Sequence, residues 1–196
     1  SKPFVGWATM PNRSPVIPVT ARAAASLIST SLGRYASGAL PGVSAISHDE
    51  GALQTMDSAK YTTLRSYPGE EGYWITDGLL SAPTGSDFSL WQYGRVMDTA
   101  CEVVAREMRW FINAGLRTIA GGKLDPRIES KINRALRVAL LEPKNAEGSD
   151  GHVSAARFVV DRNFNVLSSR KVQGDVAIRP LAYPSEMVTT LGFTTN

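Results

Sequence analysis

Residues 88–119 read FSLWQYGRVMDTACEVVAREMRWFINAGLRTI, the longest regular pattern in the chain. Tyr93, Met97, Ala100, Val104, Met108 and Phe111 recur at spacings of three and four, which predicts a helix with one apolar stripe, widened by Val96 and Val103. Arg95, Asp98, Glu102, Arg106, Glu107 and Arg109 occupy the other face, with Glu102 four residues ahead of Arg106, a weakly favourable helical pair. Such a stripe needs a surface to bury against. Ser86 or Asp87 is expected to cap its start, and Gly121-Gly122 to close its end, because glycine tolerates the left-handed backbone found there.

On the C-terminal side, Asp125-Pro126 predicts the opening of a second helix, with aspartate as cap and proline at the first helical position. Its apolar face is Ile128, Ile132, Ala135, Leu136, Ala139 and Leu140, so the two stripes can meet each other or share a sheet. Residues 142–152 read as a polar surface loop. From Val153 the period falls to two: Ala156, Phe158 and Val160 alternate with Ala155, Arg157 and Val159, which predicts a hairpin turning at 161–165 and returning over Val166–Lys171. A third strand is expected from Gly174-Asp175 through Val176 to Pro180, and a last one from Met187 to Phe193.

On the N-terminal side, Tyr61 to Leu80 reads as two strands joined by a turn containing Pro68-Gly69, and Asp49–Met56 as a short helical turn. Val19–Tyr35, rich in alanine, suits a short close-packing helix. Pro3, Pro11, Pro15 and Pro18 make residues 1–19 an extended arm. The resulting expectation is an α/β two-layer sandwich: two main amphipathic helices on a mixed or antiparallel sheet, with a core over residues 20–186 and extended arms at 1–19 and 187–196.

A chain of 196 residues, 43% of them hydrophobic, is ample for one folded domain. Its 21 basic and 18 acidic residues are scattered, without the Lys/Arg block that marks a nucleic-acid or anionic-membrane surface, so neither partner is expected. Cys101 is the single cysteine and is expected to act as a small buried hydrophobe; it permits no internal disulfide and suits a reducing compartment. No apolar run approaches the roughly 20 residues that span a bilayer, and the N-terminus lacks a signal-peptide layout.

Chemistry-bearing constellations are thin. His48 and His152 are the only histidines, and His48 precedes Asp49-Glu50, but three consecutive residues seldom converge on one metal ion. Gly122-Lys123 fails the phosphate-loop pattern, since Arg117 and Leu124 stand where glycine and a hydroxyl residue are required. No Gly-x-Ser-x-Gly elbow occurs. Trp7, Trp74, Trp91 and Trp110 have no basic cluster interleaved with them and read as core or interface packing. No catalytic, cofactor-binding or metal-ligating residue is expected. A hydrolase would need a pocket uniting His48 or His152 with distant acidic residues.

The order of segments from Leu40 to Phe193 resembles the C-terminal part of contractile tail sheath proteins of phages and phage-tail-like particles. It is carried by Leu40-Pro41-Gly42-Val43 before a short helix, and by Leu64-Arg65-Ser66-Tyr67-Pro68-Gly69 running into Tyr73-Trp74-Ile75-Thr76-Asp77-Gly78. The charged long helix follows, then Asp161-Arg162-Asn163-Phe164-Asn165, Gly174-Asp175, and Ile178-Arg179-Pro180 leading to Pro184-Ser185-Glu186-Met187. The order covers about three quarters of the chain. Trp-Ile-Thr-Asp-Gly stands where many members have Trp-Gly-Ala-Arg-Thr, which implies a divergent branch. Family members usually carry further, outward-projecting domains, so the chain is expected to be either trimmed from a larger subunit or a compact relative.

The resemblance implies a virion-tail subunit, assembled in the bacterial cytoplasm, that stacks as six-fold rings around an inner tube and rearranges collectively to drive the tube through a membrane. Its partners would be neighbouring copies, the inner tube protein and baseplate or terminator proteins. It implies strand exchange between subunits through the arms, here Phe4 and Val5 at one end and Val188, Leu191 and Phe193 at the other. Arg127, Lys131 and Arg134, at near-helical spacing on the second helix, form a basic ridge that reads first as a solvated face and, as the sharper hypothesis, as a contact for an acidic tube surface. A small non-catalytic binding or adaptor domain of closed stoichiometry is the competing expectation.

Overall fold

A computed structural model describes residues 15–43, 49–83, 85–161 and 163–184. In chain order these contain α1 (Val16–Ala25), a 3-10 turn (Tyr35–Ser37), α2 (Glu50–Ser58), β1 (Leu64–Arg65), β2 (Trp74–Ile75) and α3 (Trp91–Arg109). The second half contains β3 (Thr118–Ile119), β4 (Lys123–Leu124), α4 (Pro126–Leu136), a π-turn (Arg137–Leu141), β5 (Val153–Val160), α5 (Val166–Ser169) and β6 (Gly174–Pro180). The fold is mixed α/β: helices pack against small antiparallel sheets, β1-β2, β3-β4 and β5-β6.

The long helix is shorter than its sequence pattern. Val96, Ala100 and Val103 are its buried line, with Val104, Met108 and Phe111 packed at the margin. Neither Ser86 nor Asp87 caps it; Leu90 holds that position without a side-chain bond, and Trp91 N–H donates instead to the Gly78 carbonyl at 2.7 Å. After Arg109 the chain leaves the helix through Asn113, whose φ of 57° is left-handed. Gly121 and Gly122 therefore turn the β3-β4 hairpin rather than end the helix.

The second helix starts where the sequence places it. The Asp125 side chain accepts from Arg127 N–H at 2.9 Å, and Pro126 holds the first position. Ile132, Leu136 and Leu140 are fully buried, so α4 and the π-turn are packed between α3 on one side and β5 on the other. Val153, Phe158 and Val160 complete this core from the strand. Asn133 fastens helix to strand directly: its Nδ2 donates to the Phe158 carbonyl at 2.9 Å, and its Oδ1 accepts from Phe158 N–H at 2.7 Å.

That bond fixes the geometry of the ribbon. Antiparallel strands alternate between residue pairs that bond each other and pairs whose backbone groups point outward. Phe158 faces Asn133, so Phe158↔Val176 and Ala156↔Ile178 are outward-pointing pairs. Their side chains share the inner face with Val160, while Arg157, Asp175, Ala177 and Arg179 are exposed on the other. Gly174 opens β6, where a Cβ would lie 2.6 Å from both Phe158 Cζ and the Val159 carbonyl oxygen.

The return strand expected over Val166–Lys171 does not form, and β6 is the partner of β5. Residues 166–169 make α5 instead, because Asn165 Oδ1 accepts from Ser168 N–H at 3.0 Å and the Gly122 carbonyl accepts from Val166 N–H at 2.9 Å. In the N-terminal half, Ala23, Leu32, Leu40, Leu64 and Ile75 form a second core. Here α1 begins at Val16, inside the stretch expected to be an extended arm; Pro18 is tolerated because a first-turn residue has no helical acceptor for its N–H. It also stops at Ala25, well short of Tyr35. The Arg95 guanidinium joins the two halves, donating to the carbonyls of Ala23 at 3.1 Å and Ser26 at 3.2 Å. Phe4, Val5, Trp7, His48, Val188, Leu191 and Phe193 lie outside the described residues.

Replacing Asn133 with alanine removes both bonds to Phe158. The expected cost is about 1–3 kcal/mol, read as a lower urea midpoint with an unchanged slope.

Candidate interaction surfaces

Two surfaces have the composition of a contact. The first is the outer edge of β6. The N–H and C=O groups of Val176 and Ile178 point away from β5, and neither residue has a further backbone partner among the described residues. Their side chains lie half-buried against the main core, which holds the backbone rigidly in the strand conformation. The corresponding edge of β5 is occupied at Phe158 by Asn133, and just before the strand His152 N–H donates to the Leu140 carbonyl at 2.6 Å. One edge is thus closed by α4, and the other carries no further strand among the described residues.

The second surface is basic. Arg127, Lys131 and Arg134 are all exposed on α4, along one stripe. The Lys131 ammonium lies 5.0 Å from the Phe111 ring centroid and 6.0 Å from that of Trp110, joining the stripe to the end of α3. Trp110 is 71% exposed and Ile112 68% exposed. From Arg106 to Arg137 the sequence has eight basic residues and three acidic ones, a formal +5 where the whole chain carries +3. Glu107 and Asp125 are half-buried and Glu129 is buried, so the exposed charge is more one-sided than the count. Counted over the whole chain the charges look scattered, but this one segment carries a positive excess larger than the chain's own.

Trp110, one of the four tryptophans read as core or interface packing, is not in the core. Tryptophan reads as packing, and Trp74 fits that expectation: it is buried, with Tyr35 stacked at 5.8 Å and Tyr67 edge-on at 5.2 Å. The signal available for Trp110 was its place beside Arg109, off the buried line of α3. Cys101 corrects a second expectation. It is exposed, not buried, since the line through Val96, Ala100 and Val103 turns it outward. With Glu102, Ala105, Arg106 and Arg109 it lines an open groove along the outer face of α3.

The remaining polar cluster is interior. Ser29 Oγ and His152 Nδ1 share a hydrogen bond at 2.7 Å. Ser29 is 3% exposed and His152 6% exposed, and no carboxylate is bonded to the imidazole among the described residues. A nucleophilic serine needs an approach for substrate and a histidine oriented by a third group, and among the described residues this pair shows neither. Burial pushes the His152 pKa below its ordinary value and raises that of nearby Tyr183 to about 12. Among the described residues, no three His, Cys, Asp or Glu side chains converge as a metal ion requires, and no helix is long and apolar enough to cross a membrane.

The sequence matches no family model and no curated protein.

If Trp110 serves a contact rather than the core, Trp110→Ser should change unfolding free energy by no more than about 0.5 kcal/mol. Ile132→Ala, fully buried on α4, should cost about 2–5 kcal/mol in the same urea titration.

Proposed function

We propose that this chain is a non-catalytic structural subunit that assembles by sharing strands across chain boundaries, in the manner of a contractile tail sheath protein. The outer edge of β6, without a further backbone partner among the described residues, carries this reading. Backbone addition needs an exposed, rigid strand edge with side chains already anchored beneath it, and Val176 and Ile178 supply both. In this proposal Phe4 and Val5 in one arm, and Val188, Leu191 and Phe193 in the other, contribute strands to neighbouring copies. The added strands would extend the ribbon into one layer of a two-layer sandwich, with α3 and α4 as the other.

Such bonds survive rotation of one subunit against another, because the arms bend while the paired strands stay together. The basic stripe of Arg127, Lys131 and Arg134 would then face an acidic inner tube. Exposed charge pairs are individually weak in water, which allows contacts to break and re-form as rings move. Neighbouring copies, the tube protein and baseplate or terminator proteins are the partners, and the virion tail is the location. The support for this specific form is the order of sequence motifs from Leu40 to Phe193.

A second reading is a small non-catalytic binding domain of closed stoichiometry. It is favoured by the same edge and basic face, which need no stacked rings to be used: a single strand or acidic partner occupies each. The two readings differ in whether assembly closes.

Negative-stain electron microscopy over a concentration series separates them. Hollow tubes of stacked rings are the expected outcome for the sheath subunit, whereas uniform small particles, with or without a tube partner, select the binding domain. Changing Arg127, Lys131 and Arg134 together to glutamate should abolish tube-dependent assembly with the melting temperature nearly unchanged; intact assembly would rule out the tube contact.

A further inference from the structure

Four separate parts of the chain meet at the buried Ser29–His152 pair. Ser29 lies in the loop after α1, and His152 enters between the π-turn and β5, its N–H bonded to the Leu140 carbonyl. Tyr183 Oη donates to the Ser29 carbonyl, so Ser29 is held by its side chain from one direction and its backbone from another. Tyr93 on α3 donates to the Leu181 carbonyl at 3.1 Å, and its ring meets that of Tyr183 at 5.7 Å. Residues 181–184 form no strand or helix, and among the described residues these two tyrosine hydroxyl bonds and the ring contact fasten them.

We propose that His152 is an acid-sensitive latch, holding residues 181–184 against the loop at 27–30 when neutral and releasing them when protonated. This does not depend on the assembly reading above. The neutral imidazole is satisfied in its buried site by Ser29. An imidazolium there would need compensation by an anion or by water. Among the described residues, the charged groups on the neighbouring segments have other partners: Arg95 the carbonyls of Ala23, Ser26 and Leu27; Arg34 Glu147 at 2.7 Å; Glu142 Arg137 at 3.5 Å; Lys144 Asp150. None is bonded to the His152 ring. Hydration of the charged ring therefore requires the 27–30 loop to move away, which withdraws the Ser29 carbonyl from Tyr183.

The sign follows from linkage. The closed state holds His152 with a pKa below the ordinary 6.5, so the open, hydrated state binds the extra proton more readily. Closure is fully favoured above about pH 6.5 and weakens as pH falls from there toward the closed-state pKa, by up to about tenfold per pH unit. Burial is the cause of the shift, and the same burial is removed on opening.

Hydrogen exchange of the full chain, followed by mass spectrometry and corrected for intrinsic rates, tests this at peptides covering 181–184. Protection should fall several-fold between pH 7.5 and 5.5 in the natural sequence and stay constant in His152→Asn, whose amide can still bond Ser29 without titrating. Protection that does not change with pH, or that changes equally in the variant, overturns the latch. Should the variant not fold, proton NMR of the natural chain decides: the Tyr183 ring resonances should shift with the midpoint of His152, and a His152 titration that leaves them fixed also overturns it.

Discussion

One side-chain amide governs how the two halves of the main core relate. Asn133 satisfies both backbone groups of Phe158, and in doing so it decides which residues of β5 face the helix and which face β6. The alternation of an antiparallel pair then carries that decision across to β6 without any further contact. Helix α4 can pack on β5 with Ile132, Leu136 and Leu140 only because the strand edge beside it is already closed; an uncompensated N–H and carbonyl there would each be costly to bury. The outward-pointing edge of β6, unpaired among the described residues, is the other side of the same arrangement.

Much of the local structure was legible because it depends on near neighbours in sequence. The spacing of Ile128, Ile132, Ala135, Leu136, Ala139 and Leu140, with Asp125-Pro126 ahead of it, specifies α4 from its own residues. The alternation around Phe158 specifies β5 in the same way. The failures fall where distant groups decide. Residues 166–169 have one local reason to leave the strand conformation, the Asn165 cap, and the distant Gly122 carbonyl placed beside them adds the second. Ile112, Leu116 and Ile119 keep a helical rhythm beyond Arg109, yet the left-handed Asn113 and the hairpin at Gly121-Gly122 end the helix first.

The candidate surfaces divide along the same line. The stripe of Arg127, Lys131 and Arg134 could be read from spacing, and all three residues are exposed on α4. Its aromatic companion could not, since the approach of Lys131 to Trp110 and Phe111 arises from packing α3 beside α4. The Ser29–His152 bond joins residues far apart in the chain, and neither segment alone suggests a partner for the other. The expected sheet was one continuous layer, whereas the described strands form separate pairs, with β5-β6 the longest.

Gly174 gives the ribbon a fixed zero point. The Phe158 ring occupies the space a side chain would need there, so sliding β6 by a single residue would drive Asp175 into that ring. Side chains in a strand alternate faces, and such a slip would also turn Val176 and Ile178 out toward solvent. The β5-β6 ribbon therefore has one register only. The ribbon's own register is thereby held from inside the core, by the one ring that fills the space over Gly174.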